Sequence, residues 1–326
     1  MIKIHYGGRL GNIMFSNAYG YILSKKLKCN LDSQYIKGFE NTKISDNLYK
    51  TENILTENNF HYKNDAYTSI YDLFKDKKKN YKIILNGPFM NYKLYIEHLN
   101  ELREYFKLEV PLKIIPEKND LVIHIRSGDI WYKETMKKYD LDIGHHSKEY
   151  LKKQLQVALP ITFFCNIIDN NNFDKIIVVS EYKDDLICQK IKEIYSKTII
   201  ISESINHDFH LITKANNIIM SNSTFSWWSS FLSKAEKIYY PEIGYFKDNI
   251  KPYCDLNILN DNRYIKIKLN TRYDTFNTNW NGDDRDLEKC LNLYNKQINF
   301  FILWGHSYNN IENILKMMND NDYYDI

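Results

Sequence analysis

Three short segments of this chain carry side chains suited to gripping a polyanion. Val122-Ile123-His124-Ile125-Arg126-Ser127-Gly128-Asp129 delivers a histidine, an arginine and an aspartate from an apolar run into a glycine-softened turn. Gly7-Gly8-Arg9-Leu10-Gly11-Asn12 follows the first apolar stretch, and Ser221-Asn222-Ser223-Thr224-Phe225-Ser226-Trp227-Trp228 comes about a hundred residues after the second segment. The guanidinium of Arg126 offers paired donors that match a diphosphate and keeps its charge at any working pH. Breaking a sugar–diphosphate bond builds negative charge on phosphate oxygens, and donors held there stabilise the transition state more than the ground state. A structural ion pair with Asp129 or another acid is the alternative role for Arg126.

The neighbouring residues each carry two readings. His124 precedes Arg126 by two positions and shares its strand face, so it either donates to phosphate or ribose or fixes a neighbouring loop. Asp129 either accepts a hydroxyl proton or orients Arg126. Asn222, Ser223 and Thr224 crowd an amide and two hydroxyls ahead of a predicted helix, where an anion seat and a helix cap coincide. Phe225 offers a stacking face for a base, whereas Trp227 and Trp228 read as core anchors. Gly11 permits close approach of a ligand, and Asn12 just beyond it reaches toward a sugar or a bridging oxygen. Neither a Gly-x-Gly-x-x-Gly fingerprint nor a P-loop is present. His145 and His146, with Asp140 and Asp142 nearby, match no metal-site spacing.

The elements that must position these residues alternate between strand and helix. Residues 1–6 predict a strand, and Phe15, Ala18, Tyr19, Ile22, Leu23 and Leu27 recur at helical spacing after it. Residues 30–80 read as irregular and polar. A strand over 81–88 and a helix over 91–106 follow, and Pro111 and Pro116 interrupt the chain. Beyond them the pattern predicts helices at 150–157, 184–195, 207–215 and 227–232, with strands at 121–125, 175–180, 198–201, 217–220 and 237–241. Strands that are apolar throughout, separated by helices, predict a parallel sheet covered on both faces. Ligands in such sheets lie beyond the carboxyl ends of the strands, where His124–Asp129 and Asn222–Phe225 fall. The boundary is placed near residue 112, giving domains of 1–112 and 113–267. A tail of 268–326 has an uncertain role and fits the pattern less well, with a strand at 300–304 and a helix at 309–318.

Composition narrows the function classes. The chain has 326 residues, enough for two domains. Its 44 basic and 41 acidic residues leave a net charge of +3, which argues against a nucleic-acid surface. Cys29, Cys165, Cys188, Cys254 and Cys290 lack metal-ligand spacing and read as reduced thiols of a cytoplasmic protein. The sequence shows no secretory signal and no apolar run of the roughly 18–20 residues a membrane span needs. Peripheral membrane contact remains compatible with it, and the oligomeric state is left open.

Taken together in order, the three segments resemble the α-1,2-fucosyltransferases, glycosyltransferase family 11. Asn86-Gly87-Pro88-Phe89-Met90 and Asp208-Phe209-His210-Leu211-Ile212 stand where that resemblance leads one to expect them. The resemblance spans roughly residues 1–265. It implies an α/β, GT-B-like fold of two Rossmann-type domains facing each other across a cleft. It further implies GDP-β-L-fucose as donor, a galactose-containing glycan as acceptor, inversion by single displacement, and no metal or other cofactor. Carried over, Arg126 would clamp the diphosphate with help from His124. Ser223 and Thr224 would contact phosphate, Phe225 would flank the base, Asp208 would read guanine, Asn12 would lie near the fucose, and Asp129 would act as general base. Ser127 and Ile130 depart from the family pattern, which has arginine and tyrosine there, and Ile13 and Ser16 replace glutamines. The missing cation is either covered by Lys133 or marks a changed donor or acceptor. A transferase for another nucleotide sugar and an inactive glycan-binding protein are the alternatives.

Overall fold

The computed structural model describes residues 2–43, 51–56, 81–87, 89–126, 159, 161–242, 244–246 and 254–267. The expected helix at 150–157, the motif residues 127–130 with Asp129, and the tail 268–326 lie outside the described residues.

The first sheet contains β1 (Ile2–His5), β2 (Leu31–Asp32), β3 (Thr51–Thr56) and β4 (Tyr81–Asn86) in the order β2-β1-β4-β3, with every pair parallel. The glycine turn after β1 leads into α1 (Leu10–Leu27), capped by Arg9 in extended conformation (φ −91°, ψ 178°). Helix α1 ends at Lys28, whose left-handed φ of 52° lets Cys29 N–H reach the Ser24 carbonyl at 3.0 Å. Lys25 and Lys26 complement the helix dipole in the last turn. Every residue from Met14 to Gly20 is buried, as are Gly11 and Ile22 to Ser24, so several faces of the helix are covered. Such a helix is covered by protein nearly all round and shows no single apolar stripe.

A short strand β5 (Met90–Asn91) and helix α2 (Leu99–Tyr105) lead to the second sheet. That sheet is built on β6 (Leu121–Ile125), β7 (Ile176–Ser180), β8 (Thr198–Ile201), β9 (Asn217–Ile219) and β10 (Lys237–Pro241). A strand β11 (Cys254–Asp255) pairs with β5, and β12 (Tyr264–Ile267) adds to the sheet beside β10. The order is β8-β7-β6-β9-β10-β12, parallel throughout. From β6 the chain steps outward to β7 and β8, returns to β9 on the other side of β6, and steps outward again. The reversal lies between β6 and β9, the point where doubly wound sheets bind ligands.

The intervening helices are α3 (Ile161–Asp169), α4 (Leu186–Ile194), α5 (Ile205–Thr213) and α6 (Thr224–Leu232). Three start at side-chain caps: Asp185 accepts from Ile187 N–H at 2.9 Å, Ser204 from His207 N–H at 3.2 Å, and Ser223 from Phe225 N–H at 3.2 Å.

Where expectation and structure differ, tertiary pairing decides. Residues 91–106 have helical spacing, yet only 99–105 form an α-helix. Met90–Asn91 pairs with β11, Asn91 Oδ1 accepts from Lys93 N–H at 3.0 Å, and the chain continues through two 3-10 turns. Within the stretch read as irregular, Thr51–Thr56 forms β3, satisfied by six residues of parallel register with β4. Helix α3 and strand β12 add elements that the periodicity did not reveal.

Aromatic packing joins the two sheets. The ring of Phe15 on α1 lies 5.0 Å from Trp227 and 4.9 Å from Trp228 on α6, and 5.5 Å from Tyr95. Both tryptophans are fully buried, as expected, and Trp227 Nε1 donates to the Leu256 carbonyl at 3.0 Å. One apolar core runs from α1 through α2 and α6 to the second sheet, and another lies against that sheet's far face.

Helices α1 and α6 approach each other closely at Gly11. A Cβ there would stand 2.5 Å from Thr224 Oγ1 and 2.6 Å from Phe225 N, the latter a backbone atom that cannot swing aside. Gly11→Ala should therefore cost about 1–3 kcal/mol, the usual range for overpacking. Chemical denaturation checks this, and an unchanged midpoint would show that the helices separate freely.

Candidate active site

A cavity of about 530 Å³ opens at the carboxyl ends of the strands. This size suits a small-molecule ligand. The turn after β1 contributes Gly8, Arg9, Leu10, Gly11 and Asn12; β6 contributes His124, Ile125 and Arg126. Val179, Ser180 and Glu181 come from the end of β7, Glu203, Ile205 and Asp208 follow β8, and Ser223, Thr224 and Phe225 follow β9. Segments far apart in sequence thus converge because each follows the carboxyl end of a strand, four of these strands being parallel neighbours in the second sheet.

Eight of the expected site residues meet here: Gly11, Asn12, His124, Arg126, Asp208, Ser223, Thr224 and Phe225. Asn222 does not line the cavity. It is buried, and its Oδ1 accepts from Tyr245 N–H at 3.1 Å, so it ties the end of β9 to the 3-10 turn after β10. Asp129, Lys133 and the histidine pair 145–146 lie outside the described residues. Arg9, Glu181, Glu203 and Ile205 were given no role from sequence. The strand-end rule that selected Arg126 also covers Glu181, which directly follows β7, and Arg9, which follows β1 through the glycine turn.

Two helix N-termini, those of α1 and α6, border the cavity and bring their partial positive charge to it. The first turns of both helices lack acidic residues. The Ser223 hydroxyl takes only the Phe225 N–H among the early donors of α6, which leaves first-turn capacity for an anion. Arg126 is nearly buried, its side chain 15% exposed, and its Nη1 lies 3.3 Å from Glu181 Oε2. Arg9 is 56% exposed, with Nη1 at 3.0 Å from the same oxygen.

His124 is buried, and its Nδ1 sits 2.6 Å from Ser221 Oγ. Its ring packs against Phe225 at 5.1 Å, and Phe225 in turn meets Phe209 edge-on at 5.4 Å. Burial, and secondarily the charge of Arg126, pushes the His124 pKa down to about 3. The imidazole is therefore neutral near pH 7 and offers hydrogen bonds rather than charge.

Asp208, in the first turn of α5, is buried, and burial raises its carboxyl pKa despite a favourable contact with His207. Its oxygens accept from Glu203 N–H at 3.3 and 3.2 Å and lie 3.0 Å from His207 Nδ1. Asn12 Oδ1 is buried and has no protein partner among the described residues. A buried acceptor without a partner costs about 1–3 kcal/mol, so a donor on a bound molecule would be favoured there. Among the described residues no group of three or more His, Cys, Asp or Glu side chains converges as a metal site. No described helix is long and apolar enough to cross a membrane.

The model of the family described as glycosyl transferase family 11 matches residues 39–252, well over half of the chain. The chain belongs to glycosyltransferase family 11. The matched span contains Arg126 and Ser221–Trp228 but begins after the Gly7–Asn12 turn, which joins the site through geometry. Solved structures similar to this family member include an Arabidopsis thaliana FUT1 mutant in complex with GDP. That likeness has a TM-score of 0.40 and 13% identity, and covers 78% of this chain and 72% of the other. POFUT1 in complex with GDP is similar with a TM-score of 0.40 and 12% identity, over 73% of this chain and 96% of that one. No curated protein matches the chain significantly. At this distance the structural likenesses assign no residue a role.

The depressed His124 pKa has a consequence for stability. The unfolded chain takes up the proton near pH 6.5, whereas the folded chain resists it until about 3. This contribution is fully present above pH 6.5 and is lost as pH falls toward 3. Thermal unfolding from pH 7 to pH 4 should show a falling Tm, with a shallower fall in His124→Asn. Equal slopes in both proteins would place the proton-linked loss elsewhere.

Proposed function

We propose that this family 11 glycosyltransferase moves L-fucose from GDP-β-L-fucose to a galactose-containing glycan, inverting the anomeric carbon and forming an α-1,2 linkage. The observation that carries the reading is one cavity lined by Arg126, by the N-termini of α1 and α6, and by the buried carboxylate of Asp208. Arg126 and the helix mouth suit a diphosphate. A carboxylate suits guanine, whose N1–H and exocyclic amine both donate, and Ile125, Val179 and Ile205 supply apolar surface for a base.

In this mechanism an acceptor hydroxyl oxygen attacks C1 of the fucose, and the bond from C1 to the β-phosphate oxygen breaks. The hydroxyl proton passes to a general base, for which Asp129 is the proposed group, three residues beyond Arg126. The bond's electron pair leaves with GDP, and the growing charge is met by Arg126, by Ser223 and Thr224, and by the α6 dipole. Neutral His124 orients the phosphate by hydrogen bonding, Phe225 flanks the base, and Asn12 reads the sugar. The leaving group is neutralised by protein donors, with no metal in the proposed chemistry.

The reading includes a GT-B-like arrangement in which residues 1–112 carry the acceptor side and 113–267 the donor side. Residues 268–326 form an extension, and the enzyme works in the cytoplasm.

Thermal shift with nucleotides, followed by product mass with simple galactosides, tests the proposal. GDP should stabilise the protein and UDP should not. Arg126→Ala should lower transfer about a hundredfold, the effect of removing one donor to developing charge. Undiminished transfer in that variant would remove Arg126 from the mechanism, and stabilisation by UDP alone would replace the donor.

A further inference from the structure

Arg9 and Arg126 come from different sheets, yet both direct Nη1 at one oxygen, Glu181 Oε2, at 3.0 and 3.3 Å. All three residues line the same cavity. Glu181 directly follows β7, and its own carbonyl accepts from Ser202 Oγ at 3.0 Å, which holds the backbone at that strand end.

A carboxylate is a modest partner for two guanidinium groups. It carries a single negative charge, and Glu181 and Arg9 are 43% and 56% exposed. Ion pairs in such solvated surroundings are weak. A diphosphate carries more charge on several oxygens and can engage both planar forks with paired hydrogen bonds. Any anion entering between these arginines competes with Glu181, and only a strongly charged one gains enough from the exchange.

Resting on the nucleotide-sugar reading above, we propose that Arg9 is a second guanidinium of the diphosphate grip. In this proposal Glu181 is an internal anion that the incoming diphosphate displaces. Arg9 then serves as a catalytic residue supplied by the turn after β1. Glu181 lowers the affinity of that seat for every anion, which favours release of the nucleoside diphosphate after transfer.

Calorimetric titration of the full chain with inorganic pyrophosphate, GDP, UDP and uncharged guanosine tests this. Glu181→Gln should bind pyrophosphate about three- to fivefold more tightly, since it removes a competitor of surface-pair strength. Arg9→Ala should bind it about tenfold more weakly, with partial recovery in Arg9→Lys. Guanosine affinity should stay the same in all variants. Both side chains are solvated, so the variants should keep the parent Tm within a few degrees.

Pyrophosphate binding by Glu181→Gln that is equal to or weaker than that of the parent overturns the proposal. So does parent-like binding in Arg9→Ala, or a parent protein that binds no pyrophosphate. Failure of the donor reading looks different: pyrophosphate responds to both substitutions while GDP binds no better than UDP. The converse pattern, selective GDP binding that is indifferent to Arg9 and Glu181, sinks this proposal and leaves the donor reading standing.

Discussion

The meeting of two helix N-termini at Gly11 is the constraint on which the site depends. Helix α1 belongs to the first sheet and α6 to the second, and their first turns touch where a side chain would strike backbone. Phe15 one turn further along α1 wedges against Trp227 and Trp228. The aromatic contact fixes how α1 lies on α6, and the missing side chain lets their positive ends reach one space. Each helix alone is an ordinary weak anion site. With the Arg126 guanidinium beside them, they concentrate donors and dipoles whose backbone part is already oriented and would need little reorganisation in the proposed reaction.

Charge around this space is distributed with some economy. His124 stands between Arg126 and the α6 mouth in chemical terms, yet burial keeps it neutral, so it adds no pH-dependent repulsion to the guanidinium. Ser221 and Phe225 hold its ring from two sides. Among the described residues that line the cavity, the permanent cations are Arg126, largely embedded, and Arg9, largely solvated. Side chains that follow strands of separate sheets thus bring their charged tips to one carboxylate oxygen. Asp208 is a different kind of group: its carboxylate is buried, braced by the Glu203 N–H and His207, and suited to reading donors rather than holding an anion.

Much of this was legible in the sequence because strand ends advertise themselves. Apolar β6 and β9 run directly into His124–Arg126 and Ser221–Thr224, and parallel sheets gather such ends on one edge. The glycine turn before α1 was equally visible. Asn222 lies outside the cavity lining, and a polar residue in a ligand-like loop looks the same in sequence as one that holds a turn, here through Tyr245 N–H. The helix expected over 91–106 is broken by strand pairing with Cys254–Asp255, more than a hundred and fifty residues away. Polar Thr51–Thr56 becomes a strand through its register with β4, which no local pattern encodes. The convergence of Arg9 and Arg126 on Glu181 is likewise a property of topology, since the two arginines lie 172 and 55 positions before Glu181.

The account's central claim is that a diphosphate sits where α1 and α6 meet. A crystal structure of the protein with GDP measures this directly. The account predicts phosphate oxygens about 3 Å from the Arg126 guanidinium and against the first turn of α6 at Ser223 and Thr224. A diphosphate bound away from that helix mouth, with Arg126 directed elsewhere, would contradict it.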